Sequence, residues 1–179
     1  SFATLMEGLA QGRRIVANVQ KGLIFLTSTH VALLGFILIA TLAGYGTPLL
    51  PLQILWIELF IDVTTSVAFE REPAEPDLMR RPPRPRGRPL LTNELLARIT
   101  GAGSWTVLGA LFILATHPGG PEHARWVAFN VLVVSQVVRA YANRSLTRPV
   151  LSLRPNYVML GVGLVVLVAQ FAIPYVPVL

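Results

Sequence analysis

Along the chain, apolar positions first form a stripe and then fill whole segments. Over residues 1–21, Phe2, Leu9, Val16 and Leu23 recur every seven residues, with Leu5, Val19 and Leu26 offset by three. Glu7, Gln11, Arg13, Arg14, Asn18 and Lys21 take the other faces. This is the pattern of a helix with a narrow apolar face. The period continues without a breaker into residues 22–43, which are apolar enough to span a bilayer. One long helix, soluble at its start and buried at its end, is the simplest reading.

Gly44-Tyr45-Gly46-Thr47-Pro48 ends that helix with turn residues and an interfacial aromatic. Residues 52–69 return across the bilayer. Residues 70–93 hold six prolines between Pro73 and Pro89 and five arginines between Arg80 and Arg88, and so read as an ordered or extended surface loop. Thr92 or Asn93 caps the next helix, with Glu94 in its first turn. Further spans follow at 95–116, 125–143 and 156–173, the last two separated by a basic loop over 144–155. Pro174-Tyr175-Val176-Pro177 closes the chain at an interface. The pattern predicts an all-α, polytopic membrane bundle of about five transmembrane helices. A cytoplasmic stalk helix, 1–21, leads a transmembrane domain, 22–179.

Composition agrees. Of 179 residues, 53% are hydrophobic and 13% charged, where a soluble domain carries about 25% charge. The absence of cysteine excludes disulfides and thiolate metal sites. A net charge of +6 suggests a nucleic-acid partner until the charges are placed. Of the 15 Lys and Arg residues, Arg125 alone falls beside the connections at 44–51 and 117–124 or at the far end. The positive charge therefore sets topology, with the N-terminus, 70–93 and 144–155 in the cytoplasm. The partner is the lipid bilayer, with no nucleic acid. Residues 1–22 precede the first apolar run rather than contain it, unlike a signal peptide. No internal repeat is present.

Candidate chemistry centres on Glu58 and Asp62, inside the second apolar run. Each acid at a helix centre costs about 2.5–3.5 kcal/mol to insert. Two in one span need a compensating partner, most often a transported ion. Their i, i+4 spacing stacks them on one face, and Thr65 and Ser66 extend that face with neutral oxygens, the ligand type a hard cation requires. Glu58 and Asp62 are thus the metal-ligand candidates. The alternative is a pair satisfied by another helix or sharing a proton.

His30, in Thr27-Ser28-Thr29-His30, can ligate a borderline metal, carry a proton or hydrogen-bond across a helix interface. Arg139 either pairs with a carboxylate as an intramembrane counter-charge or snorkels to the cytoplasmic surface, which the sequence favours. Gln136, and more weakly Asn130, can turn an amide oxygen to the core, though a neutral interhelical hydrogen bond explains either. Pro82-Pro83-Arg84-Pro85 matches PxxP only nominally; its loop suits anionic headgroups or a cytoplasmic domain better. Gly101-Ala102-Gly103 and Gly161-Val162-Gly163 are small surfaces for close helix packing.

Four stretches resemble the C-terminal membrane region of P-type cation-transporting ATPases, the group that includes calcium and sodium/potassium pumps. Glu7-Gly8 with Gln11-Gly12-Arg13-Arg14-Ile15 and Asn18 looks like the stalk leading to the fifth transmembrane helix. Pro51-Leu52-Gln53-Ile54-Leu55-Trp56 with Asp62 looks like the sixth. Glu72-Pro73 through Asp77, with Met79 and Arg81-Pro82-Pro83-Arg84, looks like the loop after it. Val131-Leu132-Val133 with Gln136 and Asn143-Arg144-Ser145 looks like the eighth.

The resemblance implies that Asp62 stands at a cation-binding aspartate of calcium pumps, and Glu58 where they commonly have a ligand asparagine. His30 would replace another amide ligand, and Gln136 an acid. Leu33 stands at a carboxylate position, so one ion site looks lost or remodelled. The combination Glu-x-x-x-Asp with Phe-Glu-Arg-Glu-Pro looks more like bacterial members, which implies a bacterial plasma membrane.

The implied function is the membrane half of an ATP-driven pump for Ca2+, another divalent ion or H+, coupled through the stalk to a phosphorylation domain. The Asp-Lys-Thr-Gly-Thr motif is not in this chain, which reads as a fragment with no catalytic residue and no cofactor of its own. ATP and Mg2+ would belong to the complete pump, whose actuator, phosphorylation and nucleotide domains and earlier helices are the expected partners. The rivals are a non-transporting scaffold or regulatory remnant and a passive oligomeric cation channel.

Overall fold

The computed structural model describes residues 1–83, 85, 87, 89 and 91–175, apart from the side chain of Pro174. Arg84 of the PxxP match and the closing Val176-Pro177 lie outside the described residues. Five long helices form an all-helical bundle, with no strand among the described residues. They are α1 (Phe2–Leu42), α2 (Pro51–Glu70), α3 (Asn93–Thr116), α4 (Gly120–Ala142) and α5 (Tyr157–Ala172).

α1 is continuous for 41 residues, about 60 Å or twice the thickness of a bilayer core. Gly44 and Gly46, at φ +86° and +67°, turn the chain sharply after it. Thr92 Oγ1 accepts from the Leu95 amide to cap α3, and Asn156 Oδ1 accepts from that of Met159 to cap α5. By length and composition α1, α2 and α3 can each cross a membrane. α4 has the length but carries Glu122, Arg125 and Arg139. The 16 residues of α5 reach about 24 Å, short of a bilayer core of about 30 Å.

α1 packs chiefly on α3, and also meets α4 and the C-terminal half of α2, which in turn packs on α5. Ala32, Leu33, Phe36, Ile57, Ile61, Val107, Phe129 and Val133 form the main core. Leu34, Leu38, Leu59, Trp105, Phe112 and Leu164 face outward, an apolar exterior suited to lipid. Of the two glycine surfaces, Gly103 and Gly163 sit at close helix crossings. A Cβ on Gly103 would meet Val31 at 3.0 Å and the Ser28 carbonyl oxygen at 3.5 Å, whereas Gly101 and Gly161 have open space.

The stalk half of α1 contacts the chain through its polar face, contrary to its sequence pattern. Leu5 and Phe2 are more than two-thirds exposed, while Asn18 and Lys21 are buried. The reason lies in the loop after α2. Asn18 Nδ2 donates to the Glu72 carbonyl at 2.8 Å, Lys21 Nζ pairs with Glu75 at 3.0 Å, and Arg13 donates to the carbonyls of Leu78 and Arg81. Glu72 is itself buried between Arg144, at 2.9 Å, and Asn156, at 2.7 Å. The stretch from Glu72 to Arg81 is thus held by ion pairs and hydrogen bonds that join it to α1 and to the segment before α5.

Burial alone would raise the Glu75 carboxyl, but Lys21 and Arg81 together outweigh it and hold the pKa below its ordinary 4.5. A lowered folded pKa gives stability that is present above the unfolded value and lost as pH falls through the folded one. Thermal stability in detergent should therefore begin to fall below about pH 4.5, with a shallower fall in Glu75→Gln. Gly103→Val should lower the unfolding free energy by about 1–3 kcal/mol in a denaturant titration, with Gly101→Ala near neutral.

Candidate functional site: a His–Glu–Asp cluster in a groove between α1 and α2

α2 is not a uniform α-helix. Residues Trp56–Asp62 wind as a π-helix between α-helical ends, Pro51–Leu55 and Val63–Glu70. Such wide turns concentrate at functional sites. Here both acids lie within it. A π turn holds more than four residues, so Glu58 and Asp62 fall just short of a full turn apart, where an α-helix would overshoot. They still share a face. Thr64 Oγ1 donates to the Phe60 and Ile61 carbonyls and Ser66 Oγ to that of Asp62, occupying carbonyl oxygens where the wide turn rejoins the α-helix.

His30 comes across from α1 to meet them. Its Nδ1 lies 2.8 Å from the Leu26 carbonyl oxygen. A carbonyl only accepts, so Nδ1 carries a hydrogen, and Nε2 either keeps its lone pair or, in the charged ring, carries a second one. Nε2 faces Glu58 Oε2 at 3.2 Å. Two lone-pair bearers this close require a positive charge, a proton or a metal ion, between them. Asp62 Oδ2 is 3.9 Å from Nδ1, and one donor atom from each of the three residues lies within 4.8 Å of the others.

Asp62 is 6% exposed, and neither carboxylate oxygen has a hydrogen-bond partner. A buried carboxylate without hydrogen bonds is expensive, and either a proton or a neighbouring positive charge relieves that cost. Glu58 and His30 are half-buried and line an open groove with Asp62, Ser66 and Glu70.

The other sequence candidates separate from this cluster. Ser66 lines the groove, whereas Thr65 is buried away from its wall. Gln136 is buried with an unpartnered Oε1 and is also not part of that wall. Asn130 accepts from Gln170 Nε2 at 3.1 Å, and Gln170 Oε1 accepts from Trp56 Nε1 at 2.9 Å, a neutral bridge across α4, α5 and α2.

Arg139 is placed where neither sequence expectation put it: it does not reach the surface, and among the described residues it forms no ion pair with a carboxylate. It is buried, and its guanidinium donates to the Ser28 carbonyl, the Ala102 carbonyl and Thr106 Oγ1. Backbone oxygens at the tight crossing of α1 and α3 provide enough acceptors to hold it inside. Sequence reasoning missed the π turn and the bond fixing the His30 tautomer, neither of which leaves a mark in residue type. Glu72 and Glu75 were visible only as acids in a basic loop.

Comparisons with known proteins fit this arrangement. Residues 46–179 match the family described as cation transporting ATPase, C-terminus. Over 98% of this chain it is 33% identical to a probable cation-transporting ATPase F of Mycobacterium tuberculosis and 30% identical to calcium-transporting ATPase 1 of Yarrowia lipolytica. The calcium-transporting ATPase of Bacillus subtilis is 28% identical over 99% of it. The chain spans about a fifth of the length of these curated relatives, 20% in each case.

Arg139→Ala should cost about 3 kcal/mol of stability: three bonds of about 1.5–3 kcal/mol each are lost, and release of a buried charge offsets part of that loss. Arg139→Lys should recover only part of that loss, because an ammonium lacks the planar fork. Unfolding of both variants in detergent micelles checks this.

Proposed function

The chain belongs to the cation-transporting ATPase family, of which it carries the C-terminal region, and we propose that it forms the membrane part of an ATP-driven cation pump whose ion path passes His30, Glu58 and Asp62. The observation that carries this reading is Asp62: a buried carboxylate with no hydrogen-bond partner, beside a second carboxylate and an imidazole. A cation supplies the missing charge, and its arrival and departure are what the site is for. Ser66 backs the groove, and Thr65 and Gln136 stand as secondary oxygen donors, the unpartnered Gln136 oxygen supporting that role.

In this reading residues 1–21 form a cytoplasmic stalk, and spans at 22–43, 52–69, 95–116, 125–143 and 156–173 form the transmembrane domain. Loops 70–93 and 144–155 lie on the cytoplasmic side, as the placement of Lys and Arg supports. ATP and Mg2+ would bind domains of the whole pump outside this chain. Their movement would reach the ion through α1, whose helix runs unbroken from the stalk to His30. The proposed setting is a bacterial plasma membrane, although relatives occur in both bacteria and yeast.

Trp56 sits on the same π turn as both acids, stacked on Phe60 with ring centroids 4.3 Å apart, and so reports on that turn. In the reconstituted chain, divalent cations should change Trp56 fluorescence saturably, and Glu58→Gln with Asp62→Asn should abolish the response. A cation-insensitive signal would favour a non-transporting scaffold. Cation flux through vesicles without ATP would favour a passive oligomeric channel.

A further inference from the structure

We infer that the His30–Glu58–Asp62 cluster selects a borderline divalent transition-metal ion, of the Zn2+, Co2+ and Fe2+ class, over Ca2+ or Mg2+, with His30 Nε2 as its nitrogen ligand. The inference rests on the ion path proposed above and specifies its cargo.

Three features carry it. The first is the imidazole's orientation. Leu26 holds Nδ1–H at 2.8 Å and so aims the Nε2 lone pair at Glu58. Metal-binding histidines are prepared in just this way, with the far N–H given to a backbone carbonyl.

The second is the kind of donor. Imidazole nitrogen suits Zn2+, Fe2+ and their neighbours, whereas Ca2+ and Mg2+ take oxygen. Ca2+ also needs about 6–8 oxygens. The groove wall carries the carboxylates of Glu58, Asp62 and Glu70 and the Ser66 hydroxyl; Glu58 and Asp62 place their oxygens in one cluster with His30, and the hydroxyl is already engaged with the Asp62 carbonyl. Two carboxylates and one nitrogen make a small set, suited to the low coordination number of a Zn2+-like ion.

The third is Asp62. Its side chain is 7% exposed, and both oxygens lack a hydrogen-bond partner in the wall of the same groove. The cluster therefore brings one carboxylate with no competing bond to break.

The test is Co2+ against Ca2+ on the full chain in nanodiscs, read by the visible absorption of Co2+ and by proton NMR. Bound Co2+ should shift an exchangeable imidazole N–H resonance, that of His30 Nδ1. Ca2+ should displace Co2+ only at concentrations at least about ten-fold higher. His30→Asn should remove the shifted resonance, weaken Co2+ binding about ten- to hundred-fold and leave Ca2+ binding little changed. His30 lines the groove rather than filling the core, and near-ultraviolet circular dichroism would verify that the variant is folded. Equal affinity for Ca2+ and Co2+, with no imidazole signal, would overturn this inference and leave the cation path standing. If neither ion binds in a manner that depends on Glu58 and Asp62, both readings fail.

Discussion

Inside an apolar bundle there is no water to complete a hydrogen bond, so each polar group carried in must find its partner on another part of the chain. Much of this fold follows from that requirement. Arg139 is held by the carbonyls of Ser28 and Ala102. Ser28 and Thr29 turn their hydroxyls back onto their own helix at Phe25 and Leu26. Gln170, fully buried, is shared between Trp56 and Asn130. The Gln136 amide oxygen and both Asp62 oxygens break the rule, the latter where a second acid and a histidine converge.

The same requirement divides what the sequence disclosed from what it concealed. Helix positions were legible because apolar periodicity and turn residues such as Gly44, Gly46 and Pro48 are local signals. The pairing of Glu58 with Asp62 was legible because four-residue spacing keeps side chains together in either helical form. His30 showed as a polar residue in an apolar run, but its partners sit on another helix. The bundle's internal face was the least legible part. Asn18 and Lys21 read as solvent-facing polar residues, yet both are buried because Glu72 and Glu75 come back from a loop more than fifty positions away. A stripe computed along one helix carries no information about a partner of that kind.

That loop ties the two halves of the molecule together. Glu72 gathers Arg144 and Asn156, while its backbone carbonyl receives Asn18. Removing one member of a buried ion pair strands the other, at a cost of about 3–5 kcal/mol. The anchor lies just beyond the C-terminal end of α2, below the acids, and it joins three otherwise separate segments. His30 and Lys21 sit on one unbroken helix, so the groove and this anchor share a single rigid rod.

α2 is therefore held at two levels. Trp56, where the wide turn begins, is tethered to Gln170, and Asn156 grips the Ala68 carbonyl and the Glu72 carboxylate at the C-terminal end. Between these fixed points the backbone is wound one residue loose. A rod clamped at two levels cannot swivel as a whole, so any swing of the two carboxylates past His30 must be taken up by that slack. Tightening the coil would rotate the acids while leaving both clamps where they are.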